Sequence, residues 1–215
     1  MSHLLKKLKF LVSIRSKTEQ KNDDGTVHPK DLGRRLKKNL ETIQALFRNS
    51  NDVIIREFCF GNQNQVHAAL VFIDGMVNKS VINESIVKPL IYDANLINSQ
   101  VLHENDIKFI RSSLLAVGDV NEKTGFNALI ASLLYGNAIF LLDDSDSFLD
   151  INAKGWETRA IEEPKVEQTV RGPREGFTET LRINTAMLRR KIHNPNLIFE
   201  QMVLGKRTHT LVCLA

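Results

Sequence analysis

The chain has 215 residues, 42% hydrophobic and 25% charged, which is enough apolar material for one large domain or two small ones and excludes a disordered or low-complexity chain. Its formal charge of +4 is unevenly spread: residues 1–50 carry a net +7, residues 51–162 a net −7 and residues 163–215 a net +4. That pattern argues for separate charged faces and against one continuous basic surface of the kind that holds a nucleic acid.

At the start, Leu4, Leu5, Leu8, Leu11 and Val12 share one helical face, with Lys6, Lys7, Lys9, Arg15 and Lys17 around them. The stretch reads as a helix docked on the domain, with surface contact of residues 4–17 to an anionic membrane as the competing reading. Its apolar centre is too short for a signal peptide, and no apolar run approaches the roughly 20 residues that span a bilayer. Residues 16–30 are polar and read as a linker. Residues 1–30 are therefore a basic amphipathic helix and its linker.

Residues 31–154 read as a first α/β subdomain. Asp31 is the expected N-cap of a helix over 31–48, carried by Leu32, Leu36, Leu40, Ile43, Leu46 and Phe47. Residues 53–60 and 66–73 read as two strands of a hairpin. Asp74-Gly75 stops the second strand, and Ile82, Ile86, Leu90 and Ile91 predict a short helix after it. Helices follow over 106–116 and 124–134, broken at Gly118, then a strand over 137–142, a turn, and a return strand from Phe148. The run Asp143-Asp144-Ser145-Asp146 lacks the loop length, glycine and terminal glutamate of a calcium loop and reads as an acidic hairpin tip.

Residues 155–177 read as an irregular connection. Residues 178–215 read as a second α/β subdomain: a helix over 178–191 with Thr178 as its N-cap and a solvated basic end, then strands over 197–204 and 208–214. The fold class expected is α/β (α+β), two small subdomains with helices packed on short mixed sheets. Val53 to Gly61 aligns without a gap with Leu197 to Gly205, and His67 with His209, as in an internal repeat of a helix and a hairpin. The second copy stops where the first continues into a further helix, so it is expected to be truncated, with strand 208–214 exposed.

Chemistry-bearing constellations are sparse. Cys59 and Cys213 lie in apolar runs and read as buried reduced thiols. The six histidines are scattered, no Cys-x-x-Cys or His-Glu-x-x-His occurs, and neither metal nor cofactor is expected. The basic clusters Arg34-Arg35, Lys37-Lys38 and Arg189-Arg190-Lys191 are accompanied by few aromatic residues, so no nucleic-acid partner is expected. The distinctive segment is Glu163-Pro164, Glu167 and Arg171-Gly172-Pro173-Arg174-Glu175-Gly176-Phe177. Its glycines and proline shape a backbone. Its arginines suit either a clasp to nearby carboxylates or an anion site at the following helix, and the local carboxylates favour the clasp.

That segment, followed by Asn184, Leu188-Arg189-Arg190-Lys191-Ile192 and Pro195, resembles the signature of the spore germinant receptor A-subunit family. Phe72-Ile73-Asp74-Gly75 with Lys88-Pro89-Leu90 is similar to that family's first-half pattern, and the resemblance spans residues 30–215. It implies a soluble N-terminal domain of two α/β subdomains on the cytoplasmic face of the spore inner membrane. It implies a multi-helix membrane region beyond this chain, and B, C and other A subunits as partners in nutrient-triggered germination. The implied role is non-enzymatic assembly and relay, with direct sensing of a small ligand, an amino acid or sugar, as the alternative. Interface or ligand candidates are Glu163, Glu167, Arg171, Gly172, Pro173, Arg174, Glu175, Asn184, Arg189 and Arg190.

Overall fold

A computed structural model describes residues 31–61, 66–93, 107–155 and 176–215. Its centre is a five-stranded sheet built from β1 (Val53–Phe60), β2 (Val66–Ile73), β3 (Val120–Thr124), β4 (Ala138–Leu142) and β5 (Ser147–Ile151), in the order β1-β2-β4-β5-β3. Every pairing is antiparallel, where mixed sheets were expected. The mixed α/β composition of the fold is as read from the sequence.

Side chains alternate across β2, and both faces are covered. Ala69, Val71 and Ile73 pack with Leu36, Leu40 and Ile43 of α1 (Leu36–Leu46) and with Leu129 and Leu133 of α2 (Phe126–Leu134). Ala68, Leu70 and Phe72 pack on the other side with Ile82, Ile86 and Leu90, from the wide helical turns Val81–Val87 and Pro89–Asp93. Ile107 and Ile110 complete that layer. Being central and doubly covered is why β4 and β5 are buried along their whole length. Among the described residues no helix is long and apolar enough to cross a membrane.

Two expectations are corrected here. The helix expected from Asp31 begins at Leu36, and its cap is remote: Asp143 Oδ1 accepts the Leu36 N–H at 2.8 Å across 107 residues of sequence. Arg34 pairs with Asp144 at 3.2 Å beside it, so the acidic hairpin tip holds the start of α1. The helix expected over 124–134 is preceded by an unpredicted edge strand. Val120–Thr124 is polar (VNEKT) and carries no alternating apolar signal, and it is a strand because β5 offers it a ladder. Gly125, at φ +84, turns the chain from that strand into α2.

The second helix–hairpin unit consists of α3 (Leu181–Lys191), β6 (Glu200–Leu204) and β7 (Thr210–Leu214). Its helix begins after Thr180, not Thr178. The helix–hairpin order recurs, and a feature absent from the sequence argument strengthens the correspondence. Asn39 clamps Gly33, accepting its N–H at 3.1 Å and donating to its carbonyl at 2.6 Å. Asn184 does the same to Thr178, at 2.7 Å in both directions. In each unit the clamp spans six residues and an 11-residue helix starts three residues after the clamped backbone. The histidine correspondence is not kept: His67 lies within β2, whereas His209 occupies a left-handed turn (φ 45) before β7. Asn39→Ala is expected to cost about 2 kcal/mol in urea unfolding, and Asn184→Ala less, because Asn39 is buried and Asn184 half-buried.

Candidate functional site at the junction of the two units

Immediately before β1, Arg48 and Asn49 take left-handed backbone angles (φ 47 and 55), which turn residues 50–52 toward the second unit. From that unit, α3 presents Thr185, Ala186, Met187 and Arg189 on its buried face. Arg189 is 0% exposed and Asp52 3%. The two meet in a bidentate pair: Arg189 Nε donates to Asp52 Oδ2 and Nη2 to Asp52 Oδ1, both at 2.9 Å. Nη1 donates to the Asn194 carbonyl at 3.0 Å. The guanidinium also lies 5.0 Å from the Phe199 ring centre and 5.9 Å from that of Phe47, close enough for cation–π attraction.

Neighbouring bonds extend the joint. Ser50 Oγ donates to Asp52 Oδ1 at 2.6 Å and accepts the Phe199 N–H at 2.8 Å. The Asn51 N–H reaches the Phe199 carbonyl at 2.9 Å, and the Gln201 N–H reaches Asn51 Oδ1 at 2.9 Å. A buried charge pair loses its hydration, and fork-like geometry with satisfied remaining groups is what offsets that loss. Burial first, and then the Asp52 charge, push the Cys213 thiol up. Contrary to expectation neither cysteine is fully buried; both are half-buried and free.

Beside the joint, α3 also borders a cleft of about 570 Å³, lined by Gly75, Asn78, Lys79, Thr180, Arg182 and Arg190 among others. Asp74 Oδ1 is buried and outside hydrogen-bond geometry, and is held by Lys79 Nζ at 3.0 Å and Arg182 Nε at 3.5 Å. Gly75 forms the floor at φ +86; a Cβ there would stand 2.8 Å from the Ala186 Cβ. Adjacent arginines of one helix thus meet different surroundings: Arg189 is locked into the joint and Arg190 lines the cleft.

Of the sequence candidates, Asn184 forms the clamp, Arg190 lines the cleft and Arg189 anchors the joint. Arg189 was expected in a solvated basic end, and its burial corrects that: the apolar face of α3 rotates it inward, onto a carboxylate. Glu163, Glu167, Arg171, Gly172, Pro173, Arg174 and Glu175 lie outside the described residues. Asp52, Ser50 and Asn51 were missed; they follow a helix end and precede a strand, and nothing local marks them as partners of a residue 137 positions away. Elsewhere Lys123 approaches Ser132 at 3.2 Å, which invites a catalytic reading, but the ammonium is paired with Asp150 at 2.6 Å and Ser132 donates to the same carboxylate. That cluster stitches β3, α2 and β5 together.

The family described as Bacillus/Clostridium GerA spore germination protein matches residues 41–215. The chain is 37% identical over 179 residues to spore germination protein KA of Bacillus subtilis, covering 83% of this chain and 32% of that protein. It is 28% identical over 175 residues to spore germination protein GerLA of Bacillus cereus, covering 81% and 34%. It is also similar to the crystal structure of the N-terminal domain of the A subunit of the Bacillus megaterium spore germinant receptor GerK3, at 27% identity and a TM-score of 0.62, covering 86% of this chain and 66% of that one. The chain spans about a third of the length of the curated relatives it matches.

Proposed function

This chain belongs to the Bacillus/Clostridium GerA family of spore germination proteins, and we propose that it acts as the N-terminal part of a germinant receptor A subunit, a non-enzymatic module for assembly and relay in nutrient-triggered germination. The observation that carries the relay reading is the joint. A buried bidentate ion pair, flanked by backbone bonds at Asn51 and Phe199, couples the foot of β1 to α3. A push on one helix–hairpin unit is therefore passed to the other and not absorbed by a loose linker. In this reading residues 178–215 begin a second subdomain. The Arg171 to Phe177 motif clasps carboxylates of this chain or of neighbouring A, B and C subunits at the cytoplasmic face of the spore inner membrane.

Arg174→Glu tests the proposal. In a receptor that carries it, recovery of the assembled complex and the germination response fall, while the unfolding transition of the 215-residue chain is unchanged. Normal complex recovery with normal germination would overturn it. The cleft supports a second reading, direct sensing of an amino acid or sugar, because clefts between units are common ligand sites and this one is lined by the cations Lys79, Arg182 and Arg190, which suit a ligand carboxylate. Titration calorimetry separates the two. Under relay the chain gives no saturable heat with amino acids or sugars at millimolar concentration; saturable heat removed by Arg182→Ala would assign sensing to the cleft.

A further inference from the structure

The antiparallel register places Cys59 of β1 directly opposite His67 of β2. Cys59 Sγ and His67 Nδ1 are 3.2 Å apart, within the reach that defines a nucleophile and its base. The geometry is held from both sides. The pair sits inside a continuous ladder from Val53↔Ile73 to Phe60↔Val66, and the Asp143 N–H bonds the His67 carbonyl at 2.9 Å from the β4 side. The pair is also reachable: His67 is exposed, Cys59 half-buried, and β1 is the outer strand of the sheet.

The charged groups around the pair leave His67 as its base. Glu57 stands exposed one pleat away on the same face of β1. Asp143, across from His67, has its carboxylate engaged by the Leu36 N–H. Among the described residues no group of three His, Cys, Asp or Glu could hold a metal. The second cysteine has a different setting. Among the described residues the hydrogen-bond contact of Cys213 Sγ is the Leu214 carbonyl at 3.5 Å, and burial and Asp52 both hold its proton on.

We propose that Cys59 is a His67-assisted thiol and a site of reversible modification by low-molecular-weight disulfides. In the step, His67 Nδ1 takes the Sγ proton and the thiolate attacks one sulfur of the disulfide. The Sγ–S bond forms as the S–S bond breaks, and the departing thiolate takes the proton from the imidazolium. One disulfide replaces another, so no separate oxidant enters. A small thiol reverses the step by the same route. The site is independent of the joint and of the receptor reading.

The probe is oxidised glutathione added to the chain, with adducts at the two cysteines followed over time by peptide mass spectrometry. Cys59 is expected to react at least about tenfold faster than Cys213, and His67→Gln to slow Cys59 by about tenfold while Cys213 is unchanged, since positioned bases contribute factors of this size or larger. Dithiothreitol should return Cys59 to the free thiol. Equal rates at the two cysteines in the unmodified chain would overturn the proposal without recourse to any variant. An unchanged Cys59 rate in His67→Gln would overturn it too. A folding defect in that variant announces itself as faster Cys213 modification, and the comparison of the two thiols in the unmodified chain then decides.

Discussion

Asp52→Ala is expected to destabilise the chain by about 3–5 kcal/mol, because it leaves the Arg189 guanidinium buried without its counter-charge. For a chain of this size that corresponds to a fall of roughly 6–20 °C in melting temperature. Arg189→Met should cost a similar amount, since it strands Asp52 and leaves the Asn194 carbonyl without its donor. The informative variant is the double one. Asp52→Leu with Arg189→Met replaces both charges by apolar side chains, and buried ion pairs replaced in this way commonly lose little or even gain. The double variant should therefore be more stable than either single one, with a coupling energy of about 2 kcal/mol or more by chemical denaturation. Single variants that cost less than about 1 kcal/mol, the size typical of exposed pairs, would mean that the pair is solvated. The double variant also separates stability from relay: a receptor that carries it and folds normally, yet germinates poorly, would show that the charge pair itself transmits the signal.

Gly75→Ala is the second large effect. Gly75 sits at φ +86, where a side chain is unfavourable by roughly 1–2 kcal/mol. Its added methyl would stand 2.8 Å from the Ala186 Cβ and 3.1 Å from the Arg182 carbonyl, neither of which can rotate away. Relief requires α3 to move off the first unit, so the overpacking adds about 1–3 kcal/mol. The total expected is about 2–5 kcal/mol, read in urea unfolding. The compensating change is Ala186→Gly, which removes the facing methyl. It should recover part of the packing loss in Gly75→Ala and none of the backbone loss. No recovery would place the effect in the backbone angle and the Arg182 carbonyl contact.

The legible parts of the fold are those whose signal is local. The spacing of Leu36, Leu40 and Ile43 announces α1, and the apolar runs of β2 and β4 announce strands. What was not legible depends on distant partners. The cap of α1 comes from Asp143, so neither Asp31 nor any residue near the helix start reveals it. Strand β3 is polar and exists because β5 pairs with it. Arg189 looks like a solvated cation in a Leu-Arg-Arg-Lys run, and its inward turn is decided by Asp52, which carries no motif. Arg190 next to it is legible as a cleft or surface residue for the opposite reason: α3 has a single buried face, and two successive residues cannot both occupy its centre. The motif that carried the family resemblance, Arg171 to Phe177, identified the relatives without revealing the joint.

The joint also sets an order of events when the chain is made. Residues 50–52 leave the ribosome well before their partners: Arg189 follows Asp52 by 137 residues, and Phe199 follows Ser50 by 149. At about 5–20 residues per second the delay is on the order of ten seconds. Within it the strands of the five-stranded sheet are completed, since all lie before residue 152, while Asp52 stays hydrated at the foot of β1. The carboxylate is dehydrated when α3 arrives, and docking and ion pairing then occur together. The helix that seals the first strand thus emerges after every strand of the sheet, and a nascent chain stalled just before residue 189 holds the sheet with an open seam.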